Sequence, residues 1–81
     1  MALDTYVFAI ESTSAVESSG IKTYLLSVEY VVEVNVLSSG VFQIRTLLSQ
    51  VGMARAIRVL NLDRPFTVQK MLGSGTIGRV Y

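Results

Sequence analysis

From Ile21 to Leu37 the chain runs for seventeen residues, IKTYLLSVEYVVEVNVL, without a Gly, a Pro or a turn pair. From Tyr24 onward every second residue is apolar (Tyr24, Leu26, Val28, Tyr30, Val32, Val34, Val36), while Ser27, Glu29, Glu33 and Asn35 fall on the other side. A period of two over that length predicts a strand with one buried face. Held straight it would span ~56 Å, whereas a compact chain of 81 residues has a radius of gyration of ~12 Å and a diameter near ~30 Å. The strand over 21–37 must therefore bend, most simply near Glu29, or project and be covered by another chain. The seven alternating apolar residues are the candidate interface.

The rest of the chain supplies shorter elements. Thr5 to Glu11 alternates Tyr6, Phe8 and Ile10 on one side and predicts a first strand. Residues 12–20, STSAVESSG, are polar and Ser-rich and read as a mobile surface loop. Ser38-Ser39-Gly40 suits a hairpin connection whose last residue is left-handed. Residues 41–51 satisfy two patterns. Val41, Ile44, Leu48 and Val51 recur at helical spacing between Ser39 as N-cap and Gly52 as terminator, whereas Phe42, Ile44, Thr46 and Leu48 would form a returning strand. Ala56–Leu62 and Pro65–Leu72 read as two strands, and 76–81 as a last edge strand.

Val, Ile and Thr make up 23 of the 81 residues and Ala only five. β-branched side chains suit a pleated, half-buried surface. The expected fold is mainly β: one domain over 1–81, a small antiparallel sheet or sandwich with the over-long strand at 21–37 and at most one short helix at 41–51. The alternative is an α+β ferredoxin-like arrangement. With 51% hydrophobic residues and 16% charged, the chain is apolar for its size, and a surplus of that kind calls for a partner.

Net charge is +1, but it is unevenly spread. Residues 1–37 carry Asp4, Glu11, Glu17, Glu29 and Glu33 against Lys22; residues 38–81 carry Arg45, Arg55, Arg58, Arg64, Lys70 and Arg79 against Asp63. The first expectation is pairing of the halves within one sheet, with Glu29 and Glu33 solvated or facing Arg55 and Arg58. Pairing between copies ranks second. A nucleic-acid surface is disfavoured, because the basic residues are dispersed and few aromatics interleave with them.

The chain has no His and no Cys, which removes the usual zinc and haem ligands and the commonest general base at neutral pH. Glu29 and Glu33, read on one strand face, would be roughly 13 Å apart, too far for a glycosidase carboxylate pair. Ser19-Gly20-Ile21-Lys22 matches the S-x-x-K pattern of penicillin-recognising enzymes, but in a loop entering a strand it reads as a turn followed by a solvated lysine. Gly73-Ser74-Gly75-Thr76-Ile77-Gly78-Arg79-Val80 resembles the glycine-rich loop of protein kinases. No partner lysine, catalytic loop or metal-binding Asp follows it, so the expectation for 73–81 is a flexible Gly-rich tail. No catalytic, cofactor or metal residue is assigned.

These readings make the chain a non-enzymatic structural subunit that works by sheet extension and apolar surface contact. The order strand, turn, strand and Gly/Thr-rich tail in residues 57–81 is similar to small β-rich virion proteins of bacteriophages, which implies a capsid-decorating or tail role. VFQIRTLLSQVGMARAIRVL is similar to half of an ACT-type ferredoxin-like module, which implies a regulatory ligand site at a subunit interface. A linker polypeptide of a large complex is the third reading. Protein partners are expected, with no membrane span, cofactor or small-molecule substrate, and a location in the cytoplasm or within an assembled particle.

Overall fold

A computed structural model of the chain describes residues 3–72 and 76–79. Its elements are strand β1 (Asp4–Ile10), helix α1 (Ala15–Ser27), strands β2 (Val31–Ser38) and β3 (Val41–Thr46), helix α2 (Gln50–Arg58), and strands β4 (Phe66–Leu72) and β5 (Thr76–Arg79). The strands form one sheet in the order β2-β3-β1-β4-β5, every neighbouring pair antiparallel. The first six elements follow the β-α-β-β-α-β order of the ferredoxin-like arrangement. An antiparallel sheet with two helices is thus the fold, in its α+β form.

The over-long strand of 21–37 does not exist. Its first part belongs to α1, and only Val31–Ser38 is strand. A helix rises ~1.5 Å per residue against ~3.3 Å for a strand, and reversing direction at Val28–Tyr30 folds the segment back on itself. The chain fits within 33 × 24 × 20 Å with a radius of gyration of 11.7 Å. The local cause lies upstream, in the stretch read as a loop. Ser14 Oγ accepts a hydrogen bond from the Glu17 backbone N–H at 3.1 Å, which caps the first turn of α1. Once the helix starts there, Ser18, Ile21 and Leu25 fall on its inner face and are buried.

The expected helix over 41–51 is also displaced. Residues 41–46 take the strand alternative, with Phe42, Ile44 and Thr46 buried. The second helix begins only after Ser49, whose Oγ accepts from the Gly52 N–H at 3.2 Å. Gly52 therefore lies in the first turn of α2 and does not terminate a helix. Ala56–Leu62, expected as strand, supplies the end of α2 and the loop beyond it. There are two helices where at most one was expected.

The core lies between the helices and one face of the sheet. Tyr6, Phe8 and Ile10 of β1 stand opposite Ile44 and Phe42 of β3 and Val68 and Phe66 of β4. Phe8 stacks on Phe42 at 5.8 Å and meets Phe66 edge-on at 5.7 Å. From the helices come Ile21, Leu25, Met53, Ala56 and Ile57. The hairpin expected at Ser38-Ser39-Gly40 joins β2 to β3, and Gly40 has φ +80. A Cβ there would collide with the Ile10 carbonyl oxygen. Gly40 N–H donates to the buried Ser18 Oγ at 2.8 Å and its carbonyl accepts from Ile10 N–H at 2.8 Å, so this one turn ties α1, the hairpin and β1 together.

Of the Gly-rich tail, Thr76–Arg79 pairs with β4 as the expected edge strand, while Gly73, Ser74, Gly75, Val80 and Tyr81 lie outside the described residues.

Candidate functional surface

The fold distributes the seven alternating residues over three settings. Tyr24 is half-buried on α1, and its hydroxyl donates to the Ala56 carbonyl of α2 at 2.7 Å. Leu26, on the last turn of α1, is exposed, and Val28 packs partly against the core. Val34 is buried at 3% exposure, whereas Tyr30 and Val32 are each 56% exposed and Val36 is 39% exposed. The period of two fails on α1 because the helix rotates its residues by about 100° each, and on β2 only Val34 of Val32, Val34 and Val36 is buried.

A surface nevertheless emerges on this side. Nine large apolar side chains are exposed among the described residues, and six of them (Val16, Leu26, Tyr30, Val32, Val36, Leu37) lie on α1, on β2 or between them. Val16, Leu37 and the α1 face were not among the expected interface residues; the S-x-x-E signature at Ser14–Glu17 was the sequence signal for the helix that carries Val16. Ser19, Gly20 and Thr23 also face outward between Val16 and Leu26. The Thr23 hydroxyl donates to the Ser19 carbonyl at 3.0 Å and the Ser27 hydroxyl to the Tyr24 carbonyl at 2.5 Å, so these hydroxyls can be covered without losing a partner.

β2 is an edge of the sheet, and among the described residues its outer backbone has no neighbour strand. Its register against β3 shifts between Val31 and Glu33 and again between Val36 and Ser38, which makes Val32 and Leu37 bulge residues and leaves a short regular segment between them. Bulges twist an edge away from long ladder pairing and aim the extra side chain outward. Glu33 meets Arg45 of the neighbouring strand at 3.0 Å.

Tyr30 joins α1 to β2 with φ +73, a left-handed conformation that a bulky side chain rarely adopts. Its carbonyl holds it there by accepting two hydrogen bonds, from Leu47 N–H at 2.9 Å and from Thr46 Oγ1 at 2.8 Å. At the other end of the α1–β2 unit is an open cleft of about 290 Å³ lined by Ser18, Ser19, Lys22, Val36, Ser38 and Ser39. Ser19 and Lys22 of the S-x-x-K match thus lie on a helix, not in a loop, and no hydrogen bond joins them among the described residues.

The charge halves pair inside the chain. Asp4 meets Lys70 at 3.6 Å, Glu33 meets Arg45, and Glu17 receives Arg64 at 2.7 and 3.3 Å. Arg64 also donates to the Ser12 carbonyl at 3.0 Å, so it clamps the β1–α1 turn to the loop before β4. The Arg64 hydrogen bonds, aided by the Ser14 backbone N–H, hold the Glu17 carboxyl below its ordinary range. Arg55 and Arg58, expected opposite Glu29 and Glu33 across the sheet, project instead from the last turn of α2. Burial, and then the neighbouring Asp4, push the Tyr6 phenol up; its hydroxyl reaches only the Leu48 carbonyl, at 3.4 Å.

Among the described residues no three His, Cys, Asp or Glu side chains converge as metal ligands, and no helix is long and apolar enough to cross a membrane. No protein-family model, no curated protein and no solved structure matches this chain, so its function is read from the α1–β2 surface itself.

Proposed function

We propose that the chain is a non-enzymatic assembly subunit that joins a larger protein complex through its α1–β2 side. The observation that carries the reading is the grouping of Val16, Leu26, Tyr30, Val32, Val36 and Leu37 on one helix and the edge strand beside it. Fully burying a large apolar side chain contributes about 1.5–3 kcal/mol, and contiguous exposed apolar area marks contact sites. The two bulges limit sheet extension to a short stretch of β2, so side-chain contact supplies most of the association. A capsid-decorating or tail protein and a linker polypeptide are the specific roles this physics serves.

Sedimentation of the purified chain, alone and with co-expressed neighbours, tests the reading. Val32→Glu should release the chain from its complex with stability changed by less than about 0.5 kcal/mol, as for an exposed position. Glu33→Gln should leave the complex intact, since it removes only an exposed ion pair. A wild-type chain that stays monomeric in both settings would overturn the proposal. The β-α-β-β-α-β order favours a second reading, a small ACT-like regulatory module. A thermal-shift screen with amino acids and nucleotides separates the two, because only the module gains stability from a small ligand.

A further inference from the structure

The α1–β2 side carries an exposed turn at one end and an open cleft at the other. α1 and β2 run in opposite directions, so the cleft formed by Ser18, Ser19, Lys22, Val36, Ser38 and Ser39 lies where α1 begins and β2 ends. Glu29 and Tyr30 lie where α1 has ended and β2 begins. Both residues are exposed. Among the described residues Glu29 and Lys22, like Glu11, Arg55 and Arg58, belong to no ion pair, but Glu29 and Lys22 are the two of opposite sign that lie on the α1–β2 side.

We propose that the occupant of this surface is a second copy of the same chain, related by a two-fold axis beside Val34, with Tyr30 and Glu29 of each copy entering the α1–β2 cleft of the other. This rests on the assembly reading above and names the partner. A two-fold axis makes an interface self-complementary, so each contact occurs twice. Centred on Val34, within the short regular segment between the two bulges, it sets the Tyr30 end of each β2 beside the Ser38 end of the other. The apolar residues at one end of β2 then cover those at the other. Glu29 comes beside Lys22 of the second copy, which supplies the opposite charge, and the Tyr30 hydroxyl meets a rim of serines. An aromatic ring with a polar tip suits such a position. The left-handed backbone at Tyr30, held by Thr46 and Leu47, keeps the ring projecting before the partner arrives.

Sedimentation equilibrium on wild type, Lys22→Glu, Glu29→Lys and their equimolar mixture tests the arrangement, with circular dichroism as the folding check. Wild type should dimerise, and each single variant should weaken the dimer about tenfold or more, because it faces like charges twice. The mixture should recover it, since a heterodimer restores both Glu–Lys contacts, which no contact within one chain can do. Tyr30→Gly should also dissociate the dimer while its melting temperature holds or rises, because Gly accepts φ +73 freely. A wild-type dimer indifferent to the charge variants, or a Tyr30→Gly chain that melts earlier and still dimerises, would overturn this arrangement and leave the assembly proposal standing. A wild type that is monomeric alone but captured by co-expressed neighbours would do the same. A monomer in both settings sinks both.

Discussion

α1 and α2 lie on the same face of one sheet, yet their outer surfaces are finished differently. α2 buries Met53, Ala56 and Ile57 and turns Arg55 and Arg58 outward together with Val51, close to the ordinary pattern of a surface helix with an apolar stripe and a polar back. α1 buries Ser18, Ile21 and Leu25 and turns out Val16, Ser19, Gly20, Thr23 and Leu26, with Glu17 as its exposed charge and Lys22 half-buried. Their strands differ in the same sense. β4 is paired on both sides, by β1 and β5, whereas β2 is an edge. The α1–β2 side carries six of the nine exposed large apolar side chains among the described residues, and the α2 side carries Val51 and Val59. Folding uses only the inner face of each helix, so the outer faces record different demands.

The most severe test of this contrast attacks the inner face of α1. Leu25→Ala should cost about 2–5 kcal/mol in urea denaturation, because Leu25 is fully buried and its removal leaves a cavity. A much smaller loss would mean that α1 is held weakly and that its outer face is poorly defined. Gly20→Ala, on the outer face, should raise the stability of the isolated chain by about 0.5–1 kcal/mol in a thermal melt, since a Cβ there meets nothing within 4 Å and Gly is a poor helix residue.

On α2, Arg58→Gln should cost only about 0.3–1 kcal/mol, the loss of a cation at a helix C-terminus, and should leave the sedimenting mass unchanged. A change in mass would place the contact surface on α2 instead of α1. The smallest effect concerns Glu17 in the first turn of α1. Glu17 has a folded-state pKa depressed below its ordinary value of 4.5, so its contribution to stability is present above that value and is lost as pH falls through the folded-state pKa. Melting curves of wild type and Glu17→Gln should therefore differ at neutral pH and converge in acid. A gap that persists below the carboxylate range would show that Glu17 acts through packing instead of charge.

Several features were legible in the residue pattern alone. Tyr6, Phe8 and Ile10 alternate and all three are buried. Ser38-Ser39-Gly40 forms the expected hairpin, with Gly40 left-handed, because a Cβ cannot occupy that position against Ile10. The opposite charges of the two halves meet within the sheet at Asp4–Lys70 and Glu33–Arg45. The expectations that failed cluster where two periods coincide. Tyr24, Leu26 and Val28 satisfy a period of two, while Ile21, Leu25 and Val28 satisfy a helix, and residues 41–51 carry the same double pattern. In the first case Ser14 and Glu17 held the deciding signal, in a stretch whose serines resemble a loop. In the second the start lay at Ser49, later than the apolar pattern suggested.

Composition, strict alternation and a steric limit at one residue were enough to dictate three properties. The chain is 51% hydrophobic, β1 presents Tyr6 and Phe8 inward, and the backbone turns at Gly40. Packing in three dimensions was needed to make Ile21–Ser27 helix, to put Val34 in the core with Val32 and Val36 on the surface, and to stand Tyr30 and Lys22 at opposite ends of one exposed unit. A segment compatible with two periods takes the one whose buried face finds a neighbour. Here Phe42 and Ile44, together with the Ser18–Gly40 hydrogen bond, offered that neighbour to a helix.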